Sequence, residues 1–136
     1  MELSVLFQMT FPGMPCVFYG NEKGLSGTTE SEYRQAMRWE KNHPMEDIYR
    51  NLIALRKEHP ALRYGNFRTK AASDKVYSYS RSWDNQKITV TMNLGDVPIQ
   101  APKRGRLLLK KGENHDIIGA WEYEVREEQI HGGNDL

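Results

Sequence analysis

The side chains best placed to do chemistry fall in one stretch. Tyr19, Asn21 and Glu22 close or follow the apolar run Cys16-Val17-Phe18-Tyr19. That run does not alternate, which suits a strand buried on both faces, and Gly20 stops it. In α/β architectures chemistry collects beyond the C-terminal end of such a strand. A polar loop then carries Glu30 and Arg34, a carboxylate and a guanidinium four residues apart. As an exposed pair they would form an ion pair worth little. Trp39 ends the loop.

Other constellations read as structure. His43, His59, His115 and His131 show no metal-ligand spacing, and no Gly-rich phosphate loop is present. No cofactor is therefore expected. Cys16, the single cysteine, excludes an internal disulfide framework. It sits in the most apolar run and reads as a small buried hydrophobe. Lys103, Arg104, Arg106, Lys110 and Lys111 surround Leu107-Leu108-Leu109, either as a nucleic-acid patch or as the solvated rim of a buried strand. The rim reading is preferred, with Glu113, Asp116 and Glu122 offsetting the charge. Tyr77, Tyr79 and Trp83 suit an aromatic platform, or more commonly sheet packing. Asn114-His115-Asp116 suits a turn. A formal net charge of +1 gives no reason to expect nucleic acid or an anionic membrane as partner. No apolar run reaches transmembrane length, and the N-terminus lacks a basic signal-peptide region. The expected location is cytoplasmic.

These residues need positioning elements. Residues 1–9 read as a helix with Leu3, Leu6, Phe7 and Thr10 on one stripe. Pro44 opens a second helix, with Glu46 and Asp47 in its first turn and Arg56 and Lys57 in its last. Ile48, Leu52 and Leu55 form its stripe, widened by Tyr49 and Ile53, and Pro60 stops it. Tyr64-Gly65-Asn66 reads as a turn. From Phe67 the period becomes two. Strands are expected at 76–81, 88–92, 97–100, 106–109 and 121–126, with turns at Asp84-Asn85-Gln86 and Leu94-Gly95-Asp96. Short strands with regular turns imply an antiparallel sandwich.

Two runs carry a family resemblance. Phe11-Pro12-Gly13-Met14-Pro15-Cys16-Val17-Phe18-Tyr19-Gly20-Asn21-Glu22-Lys23-Gly24 resembles the Phe-Pro-Gly-x-Pro-x-x-Tyr-Tyr-Gly-Asp-Glu-x-Gly run of the α-amylase superfamily, glycoside hydrolase family 13. Arg34-Gln35-Ala36-Met37-Arg38-Trp39 resembles its Arg-x-Pro-Met-x-Trp run. The spacing, and Gly27-Thr28-Thr29-Glu30 between them, is most similar to the neopullulanase, cyclomaltodextrinase and maltogenic amylase branch. Asn21 replaces the usual Asp and Ala36 the usual Pro. Leu55 to Leu62 resembles the end of the family's final barrel helix.

The resemblance implies a fold: an α/β wedge (the last strand and helices of a TIM-type barrel), then an all-β antiparallel sandwich domain. Residues 1–65 would be the C-terminal remnant of the catalytic barrel, 66–128 the β domain and 129–136 a flexible tail. It also implies a retaining α-glycosidase acting on α-1,4 glucans, with α-1,6 linkages as a second option. Such enzymes use two carboxyl groups. These, and a third Asp, would all precede Met1, so the chain is expected to lack catalytic residues and to be inactive alone. Asn114-His115-Asp116 reproduces the tripeptide bearing the third Asp, but about a hundred residues too late. By resemblance Glu30 and Arg34 contact sugar, Tyr19 and Glu22 line the cleft floor, and Trp39 stacks on sugar or packs beneath the last helix. A carboxylate and a guanidinium suit vicinal hydroxyls. The expected partners are an α-glucan or maltooligosaccharide and the missing N-terminal barrel portion. The alternatives are an autonomous carbohydrate-binding or assembly module, or a small β protein of unrelated role.

Overall fold

The computed structural model describes residues 1–37, 39, 40 and 42–131, with Tyr33 described by its backbone alone. Helix α1 spans Glu2–Thr10, α2 Glu30–Tyr33, α3 Pro44–Glu58 and α4 Pro60–Tyr64, with a 3-10 turn at Asn21–Lys23. The strands are β1 Asn66–Ala72, β2 Val76–Trp83, β3 Gln86–Asn93, β4 Ile99–Gln100, β5 Arg106–Lys110, β6 Ile117–Ile118 and β7 Tyr123–Gln129. β1, β2, β3, β7 and β5 form one antiparallel sheet in that order, and β4 pairs with β6 alone.

Both long helices form as their periodicity requires. Val5, Leu6, Met9 and Thr10 of α1 are buried, with Leu3 and Phe7 beside them. α3 starts at Pro44, and its cap is reciprocal. Met45 N donates to His43 Nδ1, and His43 N donates to Glu46 Oε1. Pro60 does end α3, but it also opens α4, a short helix absent from the sequence reading. Tyr64 therefore ends a helix and Asn66 begins a strand, so the expected three-residue turn there is corrected.

The antiparallel strands expected from the sequence form two sheets, one of five strands with helices on one face and the small β4–β6 pair, which Asn93 and Lys110 of the larger sheet bond through Ile118 O and Ile117 O. Period two explains the sheet. Tyr77, Tyr79 and Arg81 of β2 share a face with Ile88, Val90 and Met92 of β3 through the pairs Tyr77↔Met92, Tyr79↔Val90 and Arg81↔Ile88. Val125 and Tyr123 extend that face on β7. α1, α3 and α4 cover it, and the helices and sheet share one core. The hairpin turn falls at Asp84, as its turn chemistry suggests, with φ 52°. Trp121 stands outside β7 with φ 57°.

The buried strand expected at 16–19 does not form. No β pairing includes these residues, and Val17, Phe18 and Tyr19 are 39%, 59% and 48% exposed. Cys16, read as buried, is exposed as well. A strand of this composition needs hydrogen-bonded neighbours on both edges, and among the described residues no strand pairs with it. At the other end, Gln129 pairs with Gln86 in β7, and Ile130 N donates to Asn85 O at 2.8 Å. Gln129 and Ile130, which the sequence reading assigns to the tail, are therefore held to the sheet; residues 132–136, with Gly132, Gly133 and Asn134, lie outside the described residues.

Candidate functional site

The stretch 11–39 is fastened at its start. Phe11 packs on Phe7 at 4.5 Å and on Phe67 at 4.9 Å between ring centroids. Tyr79, fully buried, meets Phe67 at 5.2 Å and Tyr77 at 5.4 Å. Two of the three residues of the suggested aromatic platform thus pack into the sheet's core-side cluster. Trp83 instead lies at the sheet end against Tyr64, 5.7 Å away.

Arg56 completes the fastening. It reads in sequence as a cation serving the α3 dipole, yet it is buried and turned inward. It donates to Met9 O at 2.7 Å, to Phe11 O at 3.1 Å and to Gly13 O. Gly13 sits at φ 108°, where an L side chain is strained. Arg81, 1% exposed, donates to Thr10 O at 2.9 Å, Leu62 O at 3.0 Å and Gly65 O at 2.8 Å. Burial lowers both guanidinium pKa values, with Arg63 adding to the effect on Arg56 and Arg56 to that on Arg81. Neither arginine was singled out in sequence as an anchor. The available signal was Arg81, a cation at a core-facing register position two residues beyond Tyr79.

Beyond this anchor residues 14–18 form neither helix nor strand, and the Asn21 N–H donates to Phe18 O at 3.1 Å to close a turn at Tyr19 and Gly20. Gly24 then turns in the left-handed region at φ 66°, where a Cβ would meet the His43 ring at 2.4 Å. Lys23 bonds Glu46 at 2.8 Å, tying this turn to α3. Lys23, with the His43 backbone N–H, holds the Glu46 carboxyl below the ordinary range. α2 is capped by a Thr29–Glu32 box. The Thr28 and Thr29 backbone N–H groups, with the Thr28 hydroxyl, lower the Glu32 pKa.

The four candidate side chains do not converge on one pocket. Tyr19 Oη donates to Gln35 O at 3.3 Å and lines a cavity of about 380 Å³ with Phe18, Asn21, Leu25 and Ser26. Glu22 lines a different cavity of about 470 Å³ against α3, with Val17, Tyr49, Ile53 and Lys57. Glu30 and Arg34 line neither; they pair at 2.7 Å with side chains 75% and 76% exposed. Tyr19 is not core, and Trp39, 75% exposed, does not pack beneath α3. Arg38 lies outside the described residues.

The remaining sequence candidates resolve into structure. In Asn114-His115-Asp116 the Asp116 N–H donates to Asn114 Oδ1 at 2.9 Å, an Asx turn. In the basic cluster, Arg106 pairs with Glu127, Arg104 with Glu128 at 4.0 Å and Lys111 with Glu2 at 3.2 Å. The offsetting acids are therefore these, not Glu113, Asp116 and Glu122. Lys110 is no rim residue: its side chain is 4% exposed beside Glu124. Among the described residues no group of three or more His, Cys, Asp or Glu side chains is placed to hold a metal. No helix among them is long and apolar enough to cross a membrane.

No family model matches the chain. Individual proteins do. The cyclomaltodextrinase of Thermoanaerobacter pseudethanolicus is 35% identical over 96 residues, which is 68% of this chain and 17% of that protein. Neopullulanase 2 of Thermoactinomyces vulgaris is 36% identical over 113 residues, 76% of this chain and 19% of its own length. Among solved structures, the debranching enzyme of Nostoc punctiforme superposes with a TM-score of 0.80 at 25% identity, over 92% of this chain and 30% of that one. The chain thus spans about a fifth of the curated relatives it matches. Fold, motif order and identity agree, and the chain belongs to the α-amylase superfamily, glycoside hydrolase family 13, where it corresponds to a C-terminal part of enzymes of the cyclomaltodextrinase and neopullulanase type.

Proposed function

We propose that this chain is the C-terminal portion of a retaining α-glycosidase acting on α-1,4 glucans, and on α-1,6 linkages where present, with maltooligosaccharides, cyclodextrins or pullulan as substrates. In this reading residues 1–65 supply the last wedge of the catalytic barrel and residues 66–128 the β domain that braces it. The catalytic carboxyl groups come from the remainder of the barrel, and the chain alone is inactive.

The segment from Cys16 to Tyr19 carries the reading. It is apolar, exposed and without a β partner, yet its base is bolted to the core by Arg56 and Phe11. An anchored apolar segment that pairs with no strand is what a sheet strand looks like without its neighbours. Glu30 and Arg34, on the loop after it, contact sugar hydroxyls on the non-reducing side of the cleavage point. Tyr19 and Glu22, which line separate cavities in this chain, come to line the cleft floor in the complete barrel.

The test is complementation. A cyclomaltodextrinase truncated before the segment matching this chain is mixed with the purified 136-residue protein and assayed on cyclodextrin. Recovered hydrolysis, with neither part active alone, is the expected result. No recovery, together with saturable maltotriose binding by the chain alone, would overturn it in favour of an autonomous carbohydrate-binding module. One observation favours that second reading: helices and sheet share a single core within this chain, which gives it the means to fold alone.

A further inference from the structure

The sheet face away from the helices is polar and carries a groove of its own. Residues alternate along β7, so while Tyr123 and Val125 enter the core, Glu124, Arg126 and Glu128 face the other way. Opposite them on β3 stand Thr91, Thr89 and Lys87, in the pairs Thr91↔Glu124, Thr89↔Arg126 and Lys87↔Glu128. With Lys70, Lys103 and Arg104 they line a cavity of about 390 Å³. Arg126 Nη1 donates to Gly105 O at 3.0 Å, which pins the loop carrying Lys103 and Arg104 beside the groove.

The charge there is lopsided. Five cationic side chains face two carboxylates, although the whole chain has a formal charge of only +1. Both carboxylates are already engaged. Glu124, 1% exposed, bonds Arg126 at 2.8 Å and lies 3.9 Å from Lys110, while Glu128 pairs with Arg104 at 4.0 Å. Lys87 and Lys103 stand outside those pairs. A groove with surplus positive charge and the half-buried Thr89 hydroxyl on its floor concentrates small anions and offers them donors. We propose that this groove binds a phosphate-type oxyanion, either free phosphate or a phosphoryl group carried on a sugar. The site faces away from α1, α3 and the exposed 16–19 segment, so it stays open whatever packs on that side. The assignment does not depend on the glucan reading.

The test is an amide NMR titration of the complete chain with inorganic phosphate, with glucose 6-phosphate and with glucose as the neutral control, at low and high sodium chloride. Saturable shifts at Lys87, Thr89, Lys103 and Arg104 with both phosphates, weakened by salt, are expected. Tighter binding of glucose 6-phosphate than of phosphate would assign a sugar phosphate; equal binding would assign the free ion. The Lys87→Ala variant should weaken binding by up to about fivefold, the value of one exposed charge contact, with an unchanged melting curve. Linear shifts without saturation, the same shifts from glucose or chloride, or unaltered binding by the folded K87A/K103A variant would overturn the proposal.

Discussion

Arg56 Nη1 donates to the carbonyl of Met9 at 2.7 Å across 47 residues of chain. One buried guanidinium thereby joins the end of α1 to the last turn of α3 and fixes where the Phe11-Pro12-Gly13 run departs. Replacing Arg56 with Ala leaves three carbonyl groups without this donor. The expected loss of stability is about 3 kcal/mol, read by urea denaturation. Substitution of exposed Arg63 serves as the control and should stay within about 0.5 kcal/mol.

Arg81 tests the geometry of such contacts more strictly. Its nitrogens reach Thr10 O, Leu62 O, Gly65 O and Asn66 O from one fork. A lysine brings a point charge without that planar fork. Arg81→Lys should therefore destabilise nearly as much as Arg81→Ala, by about 2 kcal/mol or more. A lysine variant as stable as the parent would show that charge alone suffices.

The alkaline limb should report Tyr79. Burial pushes its phenol up to about 12 from an ordinary 10.0, partly offset by the bond with the Thr10 hydroxyl. The folded pKa lies above the unfolded one, so the contribution is complete below about pH 10 and fades as pH rises toward about 12. Roughly 2 to 3 kcal/mol disappears over that window. Tyr79→Phe should flatten that part of the curve, with Tyr123, also raised by burial and by Glu2, accounting for the slope that remains.

On the acid side Glu127 can be tested. Burial raises its pKa, but Arg106 and Gln86 more than compensate and leave it lowered. Its contribution is present above the ordinary carboxylate range and lost as pH falls through the lowered value. Glu127→Gln should flatten the fall in thermal stability as pH drops below the ordinary 4.5. An unchanged slope would place the acid sensitivity elsewhere.

The sugar contacts and the exposed segment have separate readouts. In the complemented enzyme, Arg34→Ala should raise KM by about tenfold, with little change in melting temperature, because the Glu30 pair is exposed. Cys16 should react with a thiol reagent without denaturant in the isolated chain. It should become protected once the complementing portion binds.

Local chemistry determined much of this protein. The periodicity of Leu3 to Thr10 and of Ile48 to Leu55, Pro44 at a helix start, the alternation of Ile88, Val90 and Met92, and the Asp84 turn each specify an element from neighbours a few residues away. The two motif runs likewise placed the chain in its family. Tertiary structure decided the rest. A buried Arg56 or Arg81 is indistinguishable in sequence from an exposed one, because its acceptors lie 43 to 47 and 15 to 71 residues away respectively. Four candidate side chains within sixteen positions of chain were separated into two cavities and an exposed pair by the turns at Gly20 to Gly24 and the α2 cap. Cys16-Val17-Phe18-Tyr19 has the composition of a buried strand, but a strand is completed by the backbone beside it. Among the described residues none pairs with it, so the same residues stand exposed.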